Sequence, residues 1–323
     1  MLTRDHVRCS KDLYTIAEEM KGTTSEQYLR AIGKREETAI HSLTPQKQMA
    51  LFYGPGLYRP SSETKFTALR FYQQLVNHLI PDESPLAISH IWHDDLHDEN
   101  IFVDAENPQK ITGIIDWQSC HISPLFSHNH DPAFLSYKGL EPETLDYPPQ
   151  PDFANLSTEE RALADYEYIT QNVFIGWRRL MKKKNPTLYQ CAQFRKTAMF
   201  GLFFLIQRIF EYGEAHFMSL LVDLKETWSE TSDKEAGAFP ITLSESDVQK
   251  IKHDCDCAIA GTEMVAETQK ALGGLWPEKG FVENEYYDEA KAVLEKVKAK
   301  ILEVAATTEE ERKEIEKFWP FED

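Results

Sequence analysis

The chain has 323 residues, of which 41% are hydrophobic and 11% aromatic, so it can bury a sizeable core and is too apolar to be disordered. Its formal net charge is −18 and its pI lies near 5.1, so it repels nucleic-acid phosphates and anionic lipid, and neither nucleic acid nor membrane is expected as a partner. No apolar run approaches the length of a membrane span, and Asp5, Asp12, Glu18 and Glu19 oppose both a secretory signal and a mitochondrial presequence. A cytoplasmic location is expected. The five cysteines, Cys9, Cys120, Cys191, Cys255 and Cys257, fit no disulfide framework and read as reduced thiols. His253 stands near Cys255-x-Cys257, but no second ligand pair follows at zinc-site spacing, so this is not read as a metal site.

Residues 1–21 show no clear period. Thr23-Thr24-Ser25-Glu26 looks like a capping box, and it predicts a helix through Tyr28, Leu29, Ile32 and Ile40. Pro45, Gly54, Pro55, Gly56 and Pro60 make residues 44–62 a loop. A second helix is predicted from about Glu63 to Ile80, burying Phe66, Leu69, Val76 and Leu79. Three short strands follow, at 87–92, 101–103 and 111–115, with Asn107-Pro108 turning between the last two. Residues 139–155, rich in proline, read as an irregular connection.

From Ser157 the pattern turns helical. Ser157-Thr158-Glu159-Glu160 is a capping box, and the helix it opens runs toward Lys182-Lys183-Lys184, with acids first and lysines last as the helix dipole favours. The lysine run reads as a solvated helix end. Residues 190–226 predict a very apolar core helix that includes Phe203, Phe204, Leu205 and Phe210. Ser244 opens a further capped helix, which Gly273-Gly274 and Pro277 interrupt. A last helix from about Tyr286 is predicted to bury Ala290, Val293, Val297, Ile301 and Val304. There is no internal repeat.

The chemistry is concentrated in His93-Asp94-Asp95-Leu96-His97-Asp98-Glu99-Asn100, a charged loop between two β-like pieces. Asp95 and Asn100 are five residues apart, and Asp116 ends a strand sixteen residues further on. Kinase-type phosphoryl transfer needs a carboxylate to orient the attacking hydroxyl and accept its proton, together with oxygen ligands for magnesium. One loop and one strand end supply all three groups. Around them stand His97, His121, His128 and His130, which read as loop or substrate-pocket residues. Asp131 is a further candidate for the lining of a substrate site.

His93-x-Asp95-x-x-x-x-Asn100 with Ile115-Asp116-Trp117 resembles the aminoglycoside phosphotransferase and choline-kinase-like superfamily. The longer strings His93–Val103 and Ile111–Gln118 resemble its fungal phosphotransferase enzyme family. The resemblance is sharp over residues 91–125. It implies an α+β, protein-kinase-like fold, mostly the α-rich C-terminal lobe with a small β element at the catalytic loop. By this resemblance Asp95 is the catalytic base or a substrate-orienting acid, His93 belongs to the catalytic loop and braces it, and Asn100 and Asp116 hold Mg2+. The implied reaction transfers the ATP γ-phosphate to a hydroxyl of a small molecule. Family members often carry Gly or Pro where Asp94 stands, and Pro-Gly or similar where Asp98-Glu99 stand.

The family's nucleotide-gripping lobe, a strand series with a glycine-rich loop and a lysine, has no counterpart in the 92 residues before His93; Lys11 and Lys21 are candidates for the lysine by default. The expected organisation is therefore an irregular segment at 1–21, a kinase-like C-terminal-lobe domain at 22–235 with its catalytic core at 87–125, and a helical acidic extension at 236–323 packed on the same domain. The alternative function is a catalytically inactive, pseudokinase-like binding or regulatory protein with a protein partner, or a related metal site used for other small-molecule chemistry.

Overall fold

The computed structural model describes residues 24–43, 51–80, 85–132, 135, 137–228, 237–277 and 282–321. The reading of 1–21 as an irregular segment, and with it Lys11 and Lys21, lies outside these residues. Two compact units are present, one made of residues 1–80 with 198–323 and the other of residues 81–197.

The first unit is helical. It holds α1 (Ser25–Ser42) and α2 (Ser62–Leu79). Thr24 caps α1 by accepting the Gln27 N–H at 3.2 Å, and Ser61 and Thr64 cap α2 reciprocally. Leu69, Val76 and Leu79 are buried on α2 as predicted, but Phe66 is only half buried and its neighbour Lys65 takes the inward position. The Lys65 ammonium is satisfied there by the Phe210 carbonyl at 2.6 Å, which is how a charged side chain tolerates burial. Tyr72, fully buried, donates to the Leu29 carbonyl at 2.9 Å and joins α2 to α1.

The apolar stretch 190–226 is four helices rather than one. α4 (Pro186–Phe194) belongs to the second unit, while α5 (Ala198–Ile206), α6 (Ile209–Tyr212) and α7 (Ala215–Glu226) belong to the first. Gly213, at φ +85, separates α6 from α7 in a conformation that side chains other than glycine's rarely adopt. Phe203 and Phe210 are core residues, but Phe204 is 56% exposed because the next position along a helix turns about 100° away from the buried face.

α8 (Glu245–Leu272), capped by Ser244 and Asp247, packs on α7. α9 (Tyr287–Ala305) buries Ala290 and Leu302, whereas Val304, expected inside, is 77% exposed. α10 (Glu309–Phe318), absent from the sequence reading, is opened by a Thr308–Glu311 capping box. It places Ile315 and Trp319 in the core, with Trp319 against Phe52 at 5.4 Å between ring centroids.

Among the described residues the second unit carries four short strands in two antiparallel ribbons: β1 (Ser89–His93) with β4 (Cys120–Pro124), and β2 (Ile101–Val103) with β3 (Ile111–Ile114). Three of these match the predicted strands within two residues at each end, and β4 was not foreseen. β1 and β4 pair Trp92 with His121 and His93 with Cys120, and β2 and β3 pair Ile101 with Ile114. α3 (Thr158–Lys184) starts at the expected Ser157–Glu160 capping box. Its Arg178, 3% exposed, forks to the carboxylates of Asp131 and Glu141 and ties both residues to α3. At this level the molecule is helix-rich with small β elements, as the α+β expectation has it.

Candidate active site

The candidate catalytic loop connects the two ribbons. β1 ends at His93, and a short 3-10 turn, Asp98–Asn100, leads straight into β2. Two backbone bonds fold the loop, His97 N–H to the Asp95 carbonyl at 3.0 Å and Asn100 N–H to the His97 carbonyl at 3.1 Å.

The loop is fastened to the end of β3. The His93 ring, 8% exposed, donates from Nε2 to the Ile115 carbonyl at 2.8 Å, and Trp117 meets it edge-on at 4.8 Å. The Ile115 N–H donates to the Asn100 carbonyl at 3.1 Å. Both ends of the loop are thus bonded to the residue just before Asp116.

Asp116 itself has φ 65 and ψ 47 and is the one non-glycine residue with positive φ among the described residues. Aspartate tolerates this region better than most side chains, and such backbone strain concentrates at functional sites. Its carboxylate is exposed and has no hydrogen bond or ion pair among the described residues. Asn100, 5% exposed, donates from Nδ2 to the Asp95 carbonyl at 2.9 Å and lies 3.1 Å from His97 Nε2. These contacts occupy the amide nitrogen and leave Oδ1 as its ligand atom. The Asp95 carboxylate is more than half exposed, and His97 Nε2 stands 3.8 Å from its Oδ2. The oxygen atoms of Asn100, which is buried, and of Asp116, which is exposed, are hard donors of the type that magnesium takes.

Of the other histidines, His97 belongs to the loop. His121 lies on β4 with Nδ1 2.6 Å from Asp94 Oδ2. His128 is 1% exposed and stacks on Trp92 at 4.8 Å, and burial pushes its pKa down. His130 is 3% exposed and bonded to the Leu125 carbonyl at 2.9 Å, and burial pushes its pKa down to about 4. Asp131 is engaged by Arg178. The grouping of Asp94, His121 and His128 was missed because β4 was missed; with β4 recognised, pairing of His121 opposite Trp92 would have exposed it.

Residues 57–127 match the phosphotransferase enzyme family. The matched span contains the whole loop, Asn100, β3 and Asp116, so the resemblance read from the motifs holds over these residues. Two subtelomeric hrmA-associated cluster proteins, from two strains of Aspergillus fumigatus, are each 30% identical to this chain over 129 residues, 40% of this chain and 25% of their own length. Clavilactone A biosynthesis cluster protein Y of Ampulloclitocybe clavipes is 42% identical over 74 residues, 22% of this chain and 18% of its own. The chain thus matches a quarter or less of the length of these relatives. No solved structure matches. The phosphotransferase-family match begins at Leu57, well before the ribbons, so the family's imprint is wider than the catalytic motif alone.

Proposed function

We propose that this chain is a magnesium-dependent phosphotransferase that moves the γ-phosphoryl group of ATP to a hydroxyl of a small molecule. The carrying observation is the hydrogen-bonded clasp that holds the Asp95 loop and Asn100 against the strand end bearing Asp116. The phosphotransferase-family match supports the same reading at the level of a kinase-like phosphotransferase.

Asp95 presents its exposed carboxylate to the substrate hydroxyl, orients it and takes its proton as the new oxygen–phosphorus bond forms and the bond to the nucleotide's leaving oxygen breaks. Asn100 Oδ1 and the Asp116 carboxylate would hold the metal, which when bound neutralises phosphate oxygens. His93 acts through position: its bond to the Ile115 carbonyl fixes the loop relative to Asp116. In this reading the ribbons and the helices around them correspond to the C-terminal lobe of a kinase-like fold. Asp95→Asn should lower transfer by about 10²–10⁴-fold while leaving the unfolding transition in place. Unchanged turnover in that variant would overturn the assignment.

A second reading, a binding or regulatory protein, is favoured by the apolar outer surface of the ribbons. Ile91 and Ile122 are cross-strand partners, yet 58% and 71% exposed, and Phe102 and Ile111 on the other ribbon are 52% and 59% exposed. Grouped apolar side chains in water mark surfaces that other protein covers.

A further inference from the structure

The proposed transfer makes no use of Asp94, His121 and His128. Asp94 follows β1, His121 lies on β4 opposite Trp92, and His128 follows β4 with its ring stacked on that same Trp92. Tertiary pairing gathers them from separate parts of the sequence, and one ligand atom from each lies within 4.8 Å of the others.

The protons around His128 can be placed one by one. The Ser127 hydroxyl donates to the Pro124 carbonyl at 2.7 Å, so in the 2.8 Å contact between the two serines Ser123 is the donor. His128 Nε2 faces the His90 and Ser123 carbonyls at 3.2 and 3.1 Å; carbonyls only accept, so the ring proton sits on Nε2. Nδ1 keeps its lone pair: Ser123 Oγ, 3.4 Å from Nδ1 and 3.3 Å from Nε2, has already given its single proton to Ser127 and can only accept. A neutral imidazole whose tautomer is set by backbone carbonyls on the far nitrogen is the usual form of a metal-ligating histidine. His121 Nδ1 and Asp94 Oδ2, 2.6 Å apart, add a second imidazole and a carboxylate on the solvent side.

We propose that Asp94, His121 and His128 bind a divalent first-row transition metal of the zinc type, at a site separate from Asn100 and Asp116. Two imidazoles with one carboxylate suit zinc, copper, nickel or iron, whereas magnesium prefers oxygen ligands throughout. Three protein ligands leave a coordination position for water or for a group of a bound molecule. Because Asp94 directly precedes Asp95, occupancy would also tie the start of the catalytic loop to β4.

The test is calorimetric titration of the full chain with zinc chloride, with Co2+ absorption as a second readout of nitrogen ligation. One site of micromolar strength is expected, persisting in excess magnesium and weakened by at least about 10-fold in His121→Ala, whose exposed side chain can be removed without opening the core. Asp116→Ala should leave zinc affinity unchanged, which keeps this result apart from the fate of the phosphotransferase reading. The proposal is overturned by absence of binding up to millimolar zinc, by equal affinity in His121→Ala, or by loss of binding in Cys257→Ser, which would move the ion to His253 and Cys257.

Discussion

Asp116 combines a proposed metal-binding side chain with a left-handed backbone, and the two demands can be separated by substitution. Asparagine tolerates φ near +65, whereas a β-branched side chain there meets its own carbonyl, at a cost of about 1–2 kcal/mol. Asp116→Val should therefore unfold at lower denaturant than Asp116→Asn by about that amount, and equal midpoints would show that the backbone relaxes freely. His130 provides a pH signature. Its folded pKa, about 4, lies below the ordinary value of 6.5 because burial disfavours the charged ring. The unfolded chain then binds the extra proton first, so this contribution is intact above pH 6.5 and is lost progressively as the pH falls toward 4. Urea midpoints across that window should decline in the natural protein and decline less in His130→Gln, which removes the titration; identical slopes would assign the acid sensitivity elsewhere. At this scale the sequence already marked Asp95, Asn100 and Asp116 by residue type and spacing. It could not mark the strained φ of Asp116 or the neutral burial of His128 and His130, because both follow from what surrounds the residue.

Elements were legible where a local rule sufficed. The capping boxes at Ser157 and Ser244 act within one helical turn, and both helices begin where their caps predict. The apolar stretch 190–226 misled, since uniform hydrophobicity carries no period and hides the breaks that form α4, α5, α6 and α7. α8 shows the same contrast between local and tertiary preference. Gly261 sits mid-helix, where alanine would ordinarily gain about 1 kcal/mol. A Cβ at this position would lie 2.6 Å from the Phe52 carbonyl oxygen and 2.8 Å from Leu51 Cδ1, while the Phe52 N–H bonds the Gly261 carbonyl at 3.2 Å. A backbone oxygen cannot swing aside as a side chain can, so overpacking outweighs propensity. Gly261→Ala should lose about 1–2 kcal/mol in chemical denaturation despite the better helix former; a gain in stability would mean that the segment at Leu51 and Phe52 moves without cost.

For the whole molecule, the deciding question is whether the chain as it stands holds nucleotide. A ligand that binds only the folded state raises its stability by mass action, so Mg-ATP in large excess over its dissociation constant should raise the melting temperature, and Asp116→Ala should abolish the rise. No shift at millimolar Mg-ATP would favour the binding-protein reading and direct attention to the exposed Ile91, Ile122, Phe102 and Ile111. Among the described residues no helix is long and apolar enough to cross a membrane. The sequence by itself determined the acidic character of the chain, its helical majority and the spacing of the candidate catalytic loop, because composition, periodicity, capping and motif distance act over a few neighbouring residues. Only the tertiary structure decided that β4 pairs with β1, that His93 and Asn100 clasp the residue before Asp116, and that Asp94, His121 and His128 converge. Each of these depends on which distant backbone groups satisfy one another's hydrogen bonds, and no local pattern encodes that pairing.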